Sequence, residues 1–210
     1  MQTRLIALGS NQHNASLRPY DTLSRALWSL AGLGLPVSKQ SRWYRTPDYP
    51  NGTGPDYLNA VISVATDLTP AEVLDRLHRV EAALGRVRGQ RWSARIIDLD
   101  LLAHGDAVLP DVATQRHWMG LDAAARTATP EALLLPHPRL QERAFVLVPL
   151  CDIAPDWVHP VLGKSAAALA AALPAEDRAA VSVVDPQRDG PGPDMAGPEG
   201  PEKEGVASPA

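Results

Sequence analysis

Asp98 and Asp100 stand one residue apart inside IIDLDLL (96–102), a run otherwise made of Ile and Leu. Side chains alternate faces along a strand, so both carboxylates point one way while Ile97, Leu99 and Leu101 point the other way, into a core. A rise of roughly 3.3 Å per residue sets the two Cα atoms about 6.6 Å apart, near enough for the carboxylates to converge on shared cations. A solvated strand face would tolerate two aspartates, but Asp is a poor strand former, and two in one short strand call for a reason. Oxygen-only ligands suit Mg²⁺, which takes one or two carboxylates and completes its shell with water and substrate phosphate.

Just upstream, Arg86, Arg88, Arg91 and Arg95 place four guanidinium groups in ten residues, with no acid among them. Their planar forks match phosphate oxygens. Alone, the cluster fits a solvated basic loop in a chain with 17 Arg against 3 Lys. Beside the carboxylate strand it reads as the second half of a nucleoside triphosphate site. The sequence has no G-x-x-x-x-G-K-[ST] loop, so the triphosphate must be held another way. Glu81 borders the apolar stripe of the preceding segment and wants a cation, for which the arginines beyond Gly85 are candidates; an ion pair and a functional role both fit. Tyr57 and Asn59 share a strand face. Asn59 could read the amide edge of a heterocycle with donor and acceptor together, although such a pair also suits ordinary packing.

The elements that must position these residues follow from periodicity and punctuation. RLIAL (4–8) reads as a strand ending in a turn at Gly9-Ser10-Asn11. Ser16 to Leu33 carries Leu23, Ala26, Leu27 and Leu30 at helical spacing. Val37 to Thr46 reads as one strand, 48–56 as a loop and 57–68 as a longer strand. Thr69-Pro70-Ala71-Glu72 is a capping box, Val73, Leu77, Val80 and Leu84 form a stripe, and Gly85 ends the helix. A polar loop (86–95) leads into the strand 96–102, and His104-Gly105-Asp106 turns into AVLP (107–110). Residues 111–133 form an insertion with one helix. FVLVPL (145–150) is expected as the last core strand, followed by an Ala-rich helix at 164–173. The order β-α-β-β-α-β predicts an α+β fold, a ferredoxin-like α-β-α sandwich.

A chain of 210 residues with 45% hydrophobic and 21% charged residues suits one soluble domain. The net charge of -4 sits in the segment from Asp185, which has six acids against two bases; residues 1–184 are neutral. That Pro/Gly/acidic tail (185–210) is expected to be disordered, leaving a domain at 1–184. A neutral body offers no general attraction to nucleic acid or to an anionic membrane. The apolar part of the first ten residues is too short for a signal peptide or a membrane span, and the single Cys151 excludes an internal disulfide or a cysteine zinc cluster. The expected location is cytoplasmic and the expected state monomeric.

In LGSN (8–11), YRTP (44–47), PDYLNA (55–60), GRVR (85–88), RWSARIIDLDLL (91–102), LPHPRLQERAFVLVPL (135–150) and IAPDWVHP (153–160), the chain resembles the 6-hydroxymethyl-7,8-dihydropterin pyrophosphokinase family of folate biosynthesis. The R-W-x-x-R-x-x-D-L-D pattern is its most specific part. The resemblance implies an α-β-α fold and transfer of pyrophosphate from ATP to the dihydropterin hydroxymethyl group, with two Mg²⁺ ions and release of AMP. It implies Asp98 and Asp100 as metal ligands, and Arg86 and Arg95 as catalytic cations. Arg88, Arg91, Arg95, His137 and Arg143 would contact ATP. Thr46, Pro47, Tyr57, Asn59, Trp92 and Phe145 would hold the pterin, with Glu81 in support.

Three features depart from the family pattern. Pro138 follows His137 where better-known members have Tyr, the loop holding Gly89-Gln90 is shorter and lacks a basic group, and 111–133 exceeds the usual spacing. Rival readings are a Mg²⁺-dependent phosphodiesterase, which leaves the pterin-pocket residues unexplained, and an RNA-binding ferredoxin-like module. The RNA-binding reading asks for a basic face and exposed aromatics, which one Phe, four Tyr and a neutral body do not supply.

Overall fold

The computed structural model describes residues 2–12, 17–48, 54–86, 96–122, 125, 130 and 132–185. In chain order these form β1 (Gln2–Ser10), α1 (Pro19–Gly32), β2 (Val37–Gln40), β3 (Trp43–Thr46), β4 (Tyr57–Thr66) and α2 (Pro70–Ala83). Then follow β5 (Asp98–His104), α3 (Val112–Met119), α4 (Ala144–Ile153), α5 (Ala166–Ala172), α6 (Ala175–Ala179) and β6 (Ser182–Val184). The strands make one antiparallel sheet in the order β5-β1-β4-β3-β6, with β2 also pairing β4. The tail from Pro186 lies outside the described residues, and with it the expectation placed on it.

Strand alternation sorts the sheet into two apolar faces. Ile6, Leu8, Ile62, Val64, Leu99 and Leu101 lie against α1 and α2, which contribute Leu23, Ala26, Leu30, Val73, Leu77 and Val80. Leu5, Val61 and Leu102 lie on the other face against Val146, Leu147 and Leu150 of α4 and Leu169 of α5. The result is helix, sheet, helix, as expected of an α-β-α sandwich. Each of these fully buried Leu, Ile and Val side chains contributes roughly 1.5–3 kcal/mol.

Local signals explain most boundaries. Pro19 at the first helical position sets the start of α1 three residues later than spacing alone suggests. α2 carries its full capping box: Glu72 N donates to Thr69 Oγ1 at 3.3 Å, and Thr69 N donates to Glu72 Oε2 at 2.7 Å. It stops where Gly85 takes a φ of 93°, a left-handed conformation that costs a Cβ-free residue little. The expected single strand 37–46 is broken in two, because Ser41 Oγ rather than a backbone carbonyl accepts the Val61 N–H, at 3.0 Å.

Two expectations are overturned. FVLVPL is not a strand but most of α4. A six-residue apolar run cannot distinguish strand from buried helix by periodicity, and here Val146, Leu147, Leu150 and Ile153 meet the sheet at helical spacing despite Pro149 within the helix. Gly9-Ser10 is not a turn, since β1 continues through both residues, with Gly9 opposite Asn59 on one side and Asp98 on the other.

Candidate active site

Asp98 opens β5 and Asp100 follows on the same face, both partly exposed, while Leu99 and Leu101 are buried on the opposite face. Each carboxylate has a guanidinium beside it: Arg86 Nη1 lies 2.8 Å from Asp98 Oδ1, and Arg143 Nη1 lies 3.4 Å from Asp100 Oδ2. Arg86 also pairs with Glu81. Glu81 has 1% of its surface exposed and accepts the Leu99 N–H at 2.7 Å, so it ties α2 to the aspartate strand. Burial pushes its carboxyl above the ordinary value, and the Asp98 charge adds to this; the Leu99 N–H and Arg86 oppose it. The chemistry of the aspartate pair fits Mg²⁺: oxygen donors only, on one accessible face. The described residues hold no cluster of three metal-ligating side chains, so further positions on a cation would be filled by water and phosphate oxygens.

Across the sheet from Asp98 runs a row of short side chains. Residues directly opposite one another share a face, so Asn59, Gly9 and Asp98 form one row and Val61, Ala7 and Asp100 the next. A Cβ on Gly9 would lie 3.0 Å from Asn59 Oδ1 and 3.8 Å from Tyr57 Cδ1, so only glycine keeps the floor open between the amide and the aspartates. Asn59 is buried and donates from Nδ2 to Thr46 Oγ1 at 2.8 Å, which fixes the amide's orientation. Its Oδ1 consequently faces the Gly9 side. Thr46 is buried, Tyr57 partly exposed and Pro47 exposed at the rim.

The second wall comes from the segment before α4 and from its first turn. Arg143 stands at the N-cap position of α4, its guanidinium 5.6 Å from the Phe145 ring centroid, so one cation–π pair links the residue at Asp100 to the aromatic beside it. His137 N donates to Leu102 O at 2.8 Å, docking this segment on β5. His137 Nδ1 accepts the Arg139 N–H at 3.2 Å, which leaves the proton on Nε2. Burial, reinforced by the charges of Arg143 and Arg139, lowers this imidazole's pKa to about 3, so it is a neutral donor at physiological pH.

The structure thus brings together Arg86, Asp98, Asp100, His137, Arg143, Thr46, Tyr57, Asn59, Phe145 and Glu81 at one end of the sheet. Arg88, Arg91, Trp92 and Arg95 lie outside the described residues. Gly9 was legible only as a turn signal, because its role depends on which two strands flank it. Ser10, whose hydroxyl donates to Ile96 O at 2.6 Å and anchors the residues before β5, was legible only within that same turn signal and the LGSN stretch, neither of which points to Ile96.

The chain matches the family described as 7,8-dihydro-6-hydroxymethylpterin-pyrophosphokinase (HPPK) over residues 5–155. It belongs to this family. A 2-amino-4-hydroxy-6-hydroxymethyldihydropteridine pyrophosphokinase of Methylorubrum extorquens is 38% identical over 159 residues, covering 75% of this chain and 86% of the relative. One of Synechocystis sp. is 37% identical over 146 residues; that match covers 69% of this chain and 65%, just under two thirds, of the relative. Among solved structures, wild-type HPPK-DHPS of Plasmodium falciparum with STZ-DHP is similar at a TM-score of 0.58 and 15% identity. The likeness covers 80% of this chain and 42% of that one, and it supports the family fold. None of these relatives bears a phosphodiesterase or RNA-binding name. In this chain the stretch RWSARIIDLD (91–100) ends in the two aspartates on the open face of β5.

Proposed function

We propose that the chain transfers the pyrophosphoryl group of ATP to the hydroxymethyl oxygen of 6-hydroxymethyl-7,8-dihydropterin, releasing AMP, as a step of folate biosynthesis. The observation that carries this reading is the row Asn59–Gly9–Asp98: an oriented amide and a two-carboxylate strand face the same side, separated by a residue without a side chain. A flat heterocycle held at Asn59 would bring its substituent toward the aspartates. The oxygen attacks the β-phosphorus, the bond from that phosphorus to the α-phosphate bridging oxygen breaks, and the hydroxyl proton leaves to solvent.

Asp98 and Asp100 would hold two Mg²⁺ ions. Bound there, Mg²⁺ supplies charge neutralisation of the triphosphate. Arg86 and Arg143, already beside these carboxylates, offer forks to phosphate oxygens, and neutral His137 donates from Nε2. Arg95 would add charge on the transferring group, Arg88 and Arg91 would close on ATP, and Trp92 would exclude water. Tyr57 and Phe145 would flank the pterin ring, with Thr46 and Pro47 at its edge. This is electrostatic and positional catalysis, in which Asp98, Asp100, Arg86 and Arg143 would stand ready before substrate arrives and the remaining arginines of the 86–95 loop would join them on closure.

The reading also takes the chain as a cytoplasmic monomer acting on small molecules. Its small-molecule part draws on the neutral body, which offers no general attraction to nucleic acid or to an anionic membrane; among the described residues no helix is long and apolar enough to cross a membrane. Incubation with ATP, Mg²⁺ and the hydroxymethyl-dihydropterin should yield AMP and the pterin pyrophosphate in equal amounts. Release of ADP, or AMP formed without the pterin, would sink the proposal.

A further inference from the structure

Within the stretch 111–133, expected from the sequence as an insertion, α3 reaches the segment before His137 through one buried amide. α3 starts on Asp111, whose carboxylate accepts from Thr114 N at 2.8 Å and from Thr114 Oγ1 at 2.9 Å. Arg116 and His117 are exposed, yet Gln115 between them and the cap is fully buried. Its Nε2 donates to Leu109 O at 3.1 Å and to Pro136 O at 2.9 Å. Both partners are carbonyls, so the nitrogen must be the atom that faces them. Gln115 Oε1 is buried and meets no donor among the described residues. An apolar side chain would fill the same space without that orphaned oxygen, so the two donated bonds are what the amide contributes.

Those bonds reinforce a short ladder. Leu109 and Leu135 exchange backbone hydrogen bonds at 2.8 and 3.2 Å. Pro110 and Pro136 follow them and have no N–H, so backbone donors cannot carry the pairing further. Gln115 supplies the donor instead, one residue before His137. On the other side His137 N is bonded to β5 through Leu102 O. The segment 135–137 is therefore hung between α3 and the aspartate strand.

We infer that α3 is a bracket for this arm, and that Gln115 is a positioning residue whose grip on the Pro136 carbonyl fixes His137 beside Asp98 and Asp100 and thereby sets affinity for the nucleotide triphosphate. Gln115 itself touches no substrate. The inference rests on the ATP reading given above.

The test compares wild type with Gln115→Leu and Gln115→Met, both checked by thermal melting, alone and in a His137→Ala background. ATP is followed by steady-state kinetics, and a non-hydrolysable ATP analogue by calorimetry. Loss of the Gln115 bonds should raise KM for ATP and Kd for the analogue about tenfold. The pterin KM should stay unchanged and kcat stay within about twofold. In the His137→Ala background the Gln115 substitutions should have no further effect, as expected when two residues act through one interaction. Arg116→Ala/His117→Ala should match wild type. Equal rises in both KM values, or an undiminished Gln115 effect without His137, would overturn the bracket. So would a raised ATP KM in the Arg116/His117 variant, which would put the exposed face of α3 on the nucleotide. If both Gln115 variants fail to fold, exchange of the Gln115 side-chain Nε2 hydrogens in the native chain decides: exchange as fast as in exposed side-chain amides overturns the bracket, and strong protection supports it. Wild type that makes no AMP refutes the pyrophosphokinase reading separately, because the calorimetric comparison still reports on Gln115.

Discussion

Asp98 and Glu81 are both carboxylates within reach of Arg86, yet their environments assign them different work. Asp98 keeps an open face and suits a cation, whereas Glu81 is enclosed and spends one oxygen on the Leu99 N–H. Asp98→Asn and Asp100→Asn should each cut turnover by about 10³-fold, since several kcal/mol of charge stabilisation are at stake. Their circular dichroism and melting temperature should stay near wild type, and a retained rate would remove them from the metal site. Glu81 should behave in the opposite way. Glu81→Ala leaves a buried N–H unmatched and should cost about 1–3 kcal/mol of stability by urea unfolding. Breaking a fully buried ion pair costs more, but Arg86 has 29% of its side chain exposed and Asp98 as a second partner. Glu81→Gln keeps an acceptor for Leu99 N and should recover most of that loss. A Gln variant as unstable as Ala would show that the charge, not the acceptor, matters.

The element that most affects the site from a distance is α4. Its first turn carries Phe145 just after Arg143, while its last turn is fastened to the sheet by Asp152. That carboxylate accepts from Arg42 N at 3.0 Å, Arg42 Nη2 at 2.6 Å and Tyr44 Oη at 2.8 Å. Burial, together with the Asp152 contact, pushes the Tyr44 hydroxyl up to about 12, so it remains a donor. Arg42 is exposed and its ion pair is worth little, but Tyr44 is buried, and its hydroxyl would be stranded without the carboxylate. Asp152→Ala should therefore lower stability by about 1–3 kcal/mol. Tyr44→Phe in the same chain should restore part of that stability, measured as melting temperature. If the double variant is no more stable than Asp152→Ala, the Tyr44 bond is not what holds α4.

For the molecule as a whole, acid stability depends on two depressed imidazoles, His137 at the site and, away from it, His159. His159 is fully buried, with Nδ1 accepting from Val161 N at 3.2 Å and Leu162 N at 3.3 Å. Burial depresses its pKa to about 4. Unfolded, the ring titrates near 6.5, so below that pH the unfolded chain binds a proton the folded chain refuses. Stability should fall as pH drops from about 6.5 to about 4 and then level off for this group, a loss of about 3 kcal/mol. His159→Asn can keep an acceptor for the two backbone donors and does not titrate. Its unfolding free energy should be flatter across that window, and an unchanged slope would assign the loss elsewhere.

By itself the sequence determined what short-range rules govern. Alternation put Asp98 and Asp100 on one face with Leu99 and Leu101 behind them, a capping box and Gly85 marked the ends of α2, and element order yielded the ferredoxin-like sandwich. Only the tertiary structure decided what depends on partners far away in the chain. FVLVPL became a helix because an apolar run takes whichever form its packing surface rewards. Gly9 became the floor between Asn59 and Asp98 because β1 pairs with both β4 and β5. Glu81, ambiguous in sequence, became the tie between α2 and β5 because the Leu99 N–H points at it. Gln115 became a support for the segment before His137 because Pro136 lies against α3, and a hydrogen bond spanning twenty-one positions leaves no periodicity to read.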